Sequence, residues 1–198
     1  MEKMFCVIGQ ICSGKNSLCR MITDMYPGIE QLIYYTSRSK REGEEDGKDY
    51  FFCDAEELNC HNDDVIESRM YMAYLSDNLE EKIPVYYGTK LDRQFQNRYL
   101  VVPCAMDQLG YYIDYFGPEK ISVIYLNPPR EVLIARSLKR KDDIKEFSDR
   151  LARDNHWFTE ENIGKLKKKF PYNSWLELTA SEISDERDLV NKFILKNL

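Results

Sequence analysis

The chain has 198 residues, 43% of them apolar and 13% aromatic, enough to bury a substantial core and to form one domain with insertions. With 34 acidic and 28 basic side chains, the formal net charge is -6, which argues against non-specific binding to nucleic acid or to a membrane surface. No apolar run approaches transmembrane length, and the run after Met1-Glu2-Lys3 is too short for a secretory signal.

In chain order, Met4–Ile8 reads as a short buried strand followed by a glycine loop. Leu18, Met21, Ile22 and Met25 then recur at helical spacing until Pro27-Gly28 stops the run. Ile29–Thr36 reads as a second strand, and Asp54 with Glu57 has the form of an N-cap box for a short helix. The tyrosine-rich stretch from Asp63 to Thr89 predicts strands around a polar turn at Ser76–Lys82, and Lys90–Asn97 reads as helical. Further strands are expected at Tyr99–Pro103, Ile121–Leu126 and Trp175–Leu178. Helices are expected at Met106–Phe116, from Pro128-Pro129 through Lys139, at Ile144–Arg153 and at Asp185–Leu195.

Apolar strands alternating with helices favour a parallel sheet covered on both faces. The block from Ile29 to Thr89 breaks that alternation and predicts a separate strand-rich subdomain. The six cysteines lack C-x-x-C spacing and mostly sit inside apolar runs, which reads as free thiols in a reducing cytoplasm.

Two segments carry chemistry. The first, G-Q-I-C-S-G-K-N-S from Gly9 to Ser17, follows a strand and opens a helix. Glycines at 9 and 14 let successive backbone N–H groups turn inward, Lys15 adds a point charge, and the helix N-terminus favours the same anion. That context makes G-x-x-x-x-G-K a nucleotide loop rather than an ordinary turn, with Gly9, Gln10, Ile11, Cys12, Ser13, Gly14, Lys15, Asn16 and Ser17 around the polyphosphate. Asn16 stands where Ser or Thr would offer a hydroxyl to magnesium; its carboxamide oxygen is the available substitute, with most ligands coming from phosphates and water. Cys12 reads as a small residue tolerated in a tight loop.

The second is T-S-R-S-K-R-E-G-E-E-D-G-K-D-Y-F-F, Thr36 to Phe52. Alone, its centre would make a solvated charged turn. Together with the loop, it resembles the signature of guanylate kinases, with Thr36, Ser37, Arg38, Arg41, Glu44, Gly47, Tyr50 and Phe52 filling every position. The resemblance covers nearly the whole chain, with an insertion between Glu67 and Tyr87. It implies a P-loop NTPase three-layer α/β fold with a parallel central sheet, a small nucleoside monophosphate-binding subdomain and a helical lid. The expected division is a core of 1–28, 90–135 and 155–198, an acceptor subdomain of 29–89 and a lid of 136–154.

The same resemblance implies that Arg38, Arg41, Tyr50 and Tyr87 hold the phosphate of GMP, and that Glu67 and Thr89 read guanine. The chemistry suits those residue types: guanidinium groups bond phosphate oxygens in pairs, and a carboxylate accepts from guanine N1–H and N2–H, where adenine has no N1 donor. Arg136, Arg140 and Arg150 resemble the lid arginines that close over the transferring group and, with Lys15, would be the catalytic residues; Arg153 lies one turn beyond. Two positions depart: Tyr34 replaces a small hydroxyl residue near the base, and the strand aspartates of the family are missing from Leu100–Ala105, with Asp107 off register.

The expected activity is therefore ATP-dependent phosphorylation of GMP, with magnesium carried by ATP. The expected partners are these two small substrates, with no nucleic acid and no membrane, in a cytoplasmic monomer or homodimer. The rival readings are a kinase of the same fold with another acceptor and a guanylate kinase-like protein-binding domain. His61 and His156 have no partner at metal-ligand spacing, and Thr179-Ala180 falls where the family has an Asn beside adenine.

Overall fold

The computed structural model describes residues 1–75, 78–97 and 99–198. In chain order its strands and helices are β1 (Lys3–Gly9), α1 (Lys15–Met25), β2 (Ile29–Gln31), β3 (Tyr35–Thr36), β4 (Phe51–Phe52), β5 (Val65–Leu75) and β6 (Asn78–Lys90). There follow β7 (Tyr99–Pro103), α2 (Met106–Phe116), β8 (Ile121–Leu126), α3 (Arg130–Arg140), α4 (Ile144–Trp157), α5 (Glu160–Lys167), β9 (Trp175–Leu178) and α6 (Arg187–Asn197). They group into two compact units: Met1–Gln31 with Asn97–Leu198, and Leu32–Gln96.

The first unit is built on a five-stranded parallel sheet in the order β2-β7-β1-β8-β9. β1 is central, and Met4 to Ile8 are completely buried, as expected for a parallel strand covered on both faces. Alternation along β1 sends Phe5 and Val7 into one layer, where they meet Leu18 and Ile22 of α1 and Val190, Phe193 and Ile194 of α6. α2 packs against β1 and β8 and fully buries Leu109 and Tyr112. This is the parallel α/β architecture that the strand–helix alternation predicted, and it agrees with the P-loop NTPase fold that the resemblance implied.

α3 ends at a left-handed residue, Lys141 (φ 59), whose N–H returns to Leu138 O. Asp143 then caps α4, its carboxylate accepting from Glu146 N–H at 2.8 Å. Only three residues therefore separate the two helices, which brings Leu133 of α3 onto Phe147 and Leu151 of α4.

The second unit is a four-stranded mixed sheet in the order β4-β3-β6-β5. The insertion between Glu67 and Tyr87 is the antiparallel β5–β6 hairpin, in register from Glu67↔Thr89 to Tyr74↔Lys82. Residues 76 and 77 of the expected turn lie outside the described residues, and Asn78–Lys82 already belongs to β6.

The expected strand Ile29–Thr36 is instead two strands in two sheets, β2 and β3. Between them the Gln94 side chain accepts from Ile33 N–H at 2.8 Å and donates to Ile33 O at 3.1 Å, so an amide side chain takes the place of a neighbouring strand. Lys90–Asn97 is likewise a correction: it holds a single 3-10 turn, Arg93–Gln96, because Lys90 is still paired in β6. Among the described residues, no helix is long and apolar enough to cross a membrane, and all six cysteines are free thiols.

Candidate functional site

The glycine loop leaves the buried end of β1 and enters α1 through Gly14, whose φ of 102° is left-handed; an added Cβ there would sit 2.7 Å from Ile183 Cδ1. Cys12 is also left-handed, with φ 62. Lys15 turns back over the loop and donates to Gly9 O at 2.7 Å and Gln10 O at 3.0 Å. Burial pushes its ammonium below the usual lysine value, and the Asp154 carboxylate opposes that shift.

The loop is also tied to α4. Ile11 N–H donates to Asp154 Oδ2 at 2.6 Å, Gln10 Nε2 donates to Asn155 Oδ1 at 2.7 Å, and the Ile11 side chain packs with Leu133, Phe147 and Leu151. A carboxylate thus rests on a backbone N–H of the glycine loop. Asn16 and Ser17 are exposed in the first turn of α1.

The arginines of α3 and α4 gather around the same loop. Arg136 Nη1 donates to Cys12 O at 3.2 Å and Ser13 O at 2.8 Å, while Nη2 reaches Ser181 O at 2.6 Å. Arg140 lies 3.5 Å from Asp142 and 3.8 Å from Cys12 Sγ. Arg150 is half-exposed, pairs with Glu146 at 3.7 Å and adds positive potential at Lys15 and Cys12. Arg153, one turn on, is exposed. Burial raises the Cys12 thiol above its ordinary value against the pull of Arg140.

In the second unit, Thr36 organises the turn after β3. Its buried hydroxyl donates to Tyr86 O at 3.0 Å and accepts from Arg38 N–H at 3.2 Å, which aims Arg38 along the sheet. Arg38 grips Glu44 with both terminal nitrogens, at 2.9 and 2.8 Å, and donates through Nε to the Tyr87 phenol at 3.1 Å. Its guanidinium lies 5.2 Å from the Tyr50 ring centre, and Tyr50 meets Tyr87 edge-on at 5.7 Å.

Glu44 also accepts from Arg41 N–H at 2.8 Å, and Arg41 itself is exposed. The Arg38 hydrogen bonds push the Glu44 carboxyl down to about 2, while burial raises the Tyr50 phenol. Gly47 turns this segment at φ 75, its N–H donating to Tyr50 O at 2.8 Å.

Glu67 and Thr89 stand opposite each other on β5 and β6, Thr89 donating to Glu67 Oε1 at 3.0 Å. Thr89 is completely buried and Glu67 is 2% exposed. The sequence-expected acceptor residues Arg38, Tyr50 and Tyr87 therefore form one contact cluster, with Arg41 held at its edge through Glu44. Glu67 and Thr89 form a buried pair on the same hairpin as Tyr87.

Three residues had no assigned place in the sequence reading. Glu44 was only a signature position, and it is the clamp on Arg38. Arg69 lies 3.3 Å from Glu67, and its spacing of two along a strand was the available signal. Asp154 meets Ile11 across 143 positions, and nothing local marks it.

Among the described residues, no group of three His, Cys, Asp or Glu side chains is placed to hold a metal ion. The exposed Asn16 at the loop suits a cation brought in by nucleotide phosphates, since magnesium takes oxygen ligands and keeps several waters.

The guanylate kinase family model matches residues 1–92, the span that holds the loop and the whole arginine–tyrosine cluster. The chain is 29% identical over 164 residues to a guanylate kinase of Geobacter sulfurreducens, covering 74% of this chain and 72% of that protein. It is 30% identical over 156 residues to a guanylate kinase of Coxiella burnetii, covering 75% and 70%. The crystal structure of guanylate kinase from Anaplasma phagocytophilum shares its fold, with a TM-score of 0.60 at 17% identity over 98% of this chain and 85% of that one.

Proposed function

The chain belongs to the guanylate kinase family, and on that premise we propose that it transfers the γ-phosphoryl group of ATP to GMP, giving ADP and GDP. The observation that carries the acceptor is the buried Glu67–Thr89 pair on the hairpin that also presents Tyr87 to Arg38. A carboxylate beside a hydroxyl suits the donor-rich edge of guanine, and a guanidinium among phenols suits a phosphate dianion.

In the proposed reaction a GMP phosphate oxygen attacks the γ-phosphorus in line, the bond to the β–γ bridging oxygen breaks, and ADP leaves with the electron pair. No general base is needed, because the attacking oxygen is already ionised. The loop amides and Lys15 hold the ATP phosphates, with Gly9 to Ser17 as the binding segment. Arg38, Arg41, Tyr50 and Tyr87 orient the acceptor phosphate. Arg140 and Arg150 face the charge that develops on the transferring group, and Arg136 braces the loop carbonyls while lending its charge. Asn16 is the side chain that would help to hold a magnesium ion brought in with ATP, and that ion would supply neutralising charge to the phosphates.

The domain roles belong to the same proposal: 29–89 binds the acceptor, 136–154 is the lid, and the rest is the core. So does a cytoplasmic setting, supported by six free thiols, in which a monomer or homodimer acts on small molecules. A coupled assay of ADP release across GMP, dGMP, IMP, AMP, CMP and UMP tests the reading. A clear preference for the guanine nucleotides is the expected result. Preference for another base sinks the guanine assignment, and absence of any transfer or ATP binding leaves the protein-binding rival.

A further inference from the structure

Glu67, Arg69 and Tyr71 alternate along β5, so their side chains leave the same face of the hairpin. Across the ladder Thr89 stands opposite Glu67 and Tyr87 stands opposite Arg69. The Glu67 side chain is 0% exposed; one oxygen accepts from Thr89 at 3.0 Å and the other lies 3.3 Å from Arg69 Nε. The Arg69 guanidinium in turn lies 5.8 Å from the Tyr71 ring centre, and Tyr71 meets Tyr87 edge-on at 5.7 Å. Tyr87 is the phenol that accepts from Arg38. A cation therefore shares a ladder rung with the phenol proposed to hold the phosphate, one same-face step from the pair proposed to read the base.

A carboxylate enclosed this completely is costly unless a countercharge accompanies it; without one the carboxyl takes up a proton and loses an acceptor site. Guanine needs both acceptors, for N1–H and N2–H. We propose that Arg69 is a specificity-determining positioning residue: it holds Glu67 as a charged, aimed acceptor and so sets the preference for a purine edge with two adjacent N–H donors. The inference deepens the guanylate kinase reading and rests on it. Arg69 acts through Glu67, with Tyr71 flanking its guanidinium and linking it to the phosphate cluster.

The test compares wild type with Arg69→Met, Arg69→Lys, Glu67→Gln and the Met/Gln double variant. Readouts are steady-state kinetics with GMP, IMP and AMP, calorimetric GMP binding and thermal midpoint. Arg69→Met is expected to raise the GMP KM about tenfold or more and to narrow the GMP-to-AMP preference, with the ATP KM within about twofold. Arg69→Lys should recover part of the loss. In the Glu67→Gln background Arg69→Met should add little, because the two changes remove one interaction.

Unchanged GMP affinity and selectivity in folded Arg69→Met overturns the proposal. So does a lowered GMP KM, which would mean that Arg69 competes with the base for Glu67, and so does an effect undiminished in the Glu67→Gln background. Where Arg69→Met fails to fold, calorimetry on Arg69→Lys decides: wild-type GMP affinity with wild-type selectivity overturns it. If wild type itself prefers another monophosphate, the guanylate kinase reading fails, and the Arg69–Glu67 coupling is measured separately on that acceptor.

Discussion

The glycine loop and the arginine–tyrosine cluster hold their cations in opposite ways. In the glycine loop, Lys15 and Arg136 are held by neutral backbone carbonyls, those of Gly9 and Gln10 and those of Cys12, Ser13 and Ser181. Among the described residues no carboxylate grips either cation as Glu44 grips Arg38, although Asp154 adds negative potential at Lys15. In the acceptor cluster, Arg38 is matched by the full charge of Glu44 in a two-pronged pair, with 10% of its side chain exposed. That cation is placed accurately but largely neutralised, and Arg41 carries the exposed charge beside it. The difference teaches that the first site is built for field strength and the second for geometry. A nucleoside triphosphate with its cation needs the former, and a monophosphate that must be aimed at a phosphorus atom needs the latter.

Breaking the loop should have the largest effect. Lys15→Ala is expected to cut phosphoryl transfer by about 100-fold or more while calorimetric GMP affinity stays within about twofold. Loss of GMP binding in that variant would erase the contrast between the sites. Arg38→Ala removes a charged contact worth about 1.5–3 kcal/mol and should raise the GMP KM accordingly, leaving the ATP KM alone. GMP kinetics like wild type would remove Arg38 from the acceptor site.

Glu44→Gln sharpens the geometric side. It leaves Arg38 charged but loosely held, so the GMP KM should rise several-fold, less than in Arg38→Ala. The Glu44 carboxyl lies at about 2 in the folded protein against an ordinary 4.5. Its stabilising contribution is therefore complete above pH 4.5 and is lost as pH falls through about 2. Thermal midpoints of wild type and Glu44→Gln should differ by a constant amount above that window and converge below it.

The smallest change is expected at Asp154, whose carboxylate accepts from a backbone N–H of the glycine loop. Asp154→Asn removes a negative charge from beside Ile11 N–H and Lys15, so the ATP KM should fall by about two- to fivefold, a gain of less than roughly 1 kcal/mol. A raised ATP KM would mean that the contact holds the loop in its binding shape instead.

Local pattern made much of this legible. β7, α2, β8 and β9 lie where the apolar runs put them, because a buried parallel strand and an amphipathic helix each carry their own periodicity. The glycine loop was legible for a similar reason, since a left-handed Gly14 is a short-range requirement, whereas Thr36–Phe52 was legible only through its resemblance to a family signature and alone reads as a charged turn. The failures have a physical cause as well. Ile29–Thr36 has one uninterrupted β-prone composition, yet the distant Gln94 side chain satisfies Ile33 and lets the chain change sheets. Lys90–Asn97 has helical composition, but strand pairing claims its first residue.

The sequence by itself determined the fold class and the strand–loop–helix that opens the chain, because each depends on neighbours a few residues away, and the arginine–tyrosine segment followed from its likeness to a family signature. Only the tertiary structure decided that Glu67 meets Thr89 across the hairpin, that Arg69 stands beside that carboxylate, and that Asp154 reaches Ile11. Those contacts follow from ladder register and from the packing of α3 and α4 on Ile11. Register and packing are settled by many weak apolar contacts acting together over long separations, and no short pattern of residues records them.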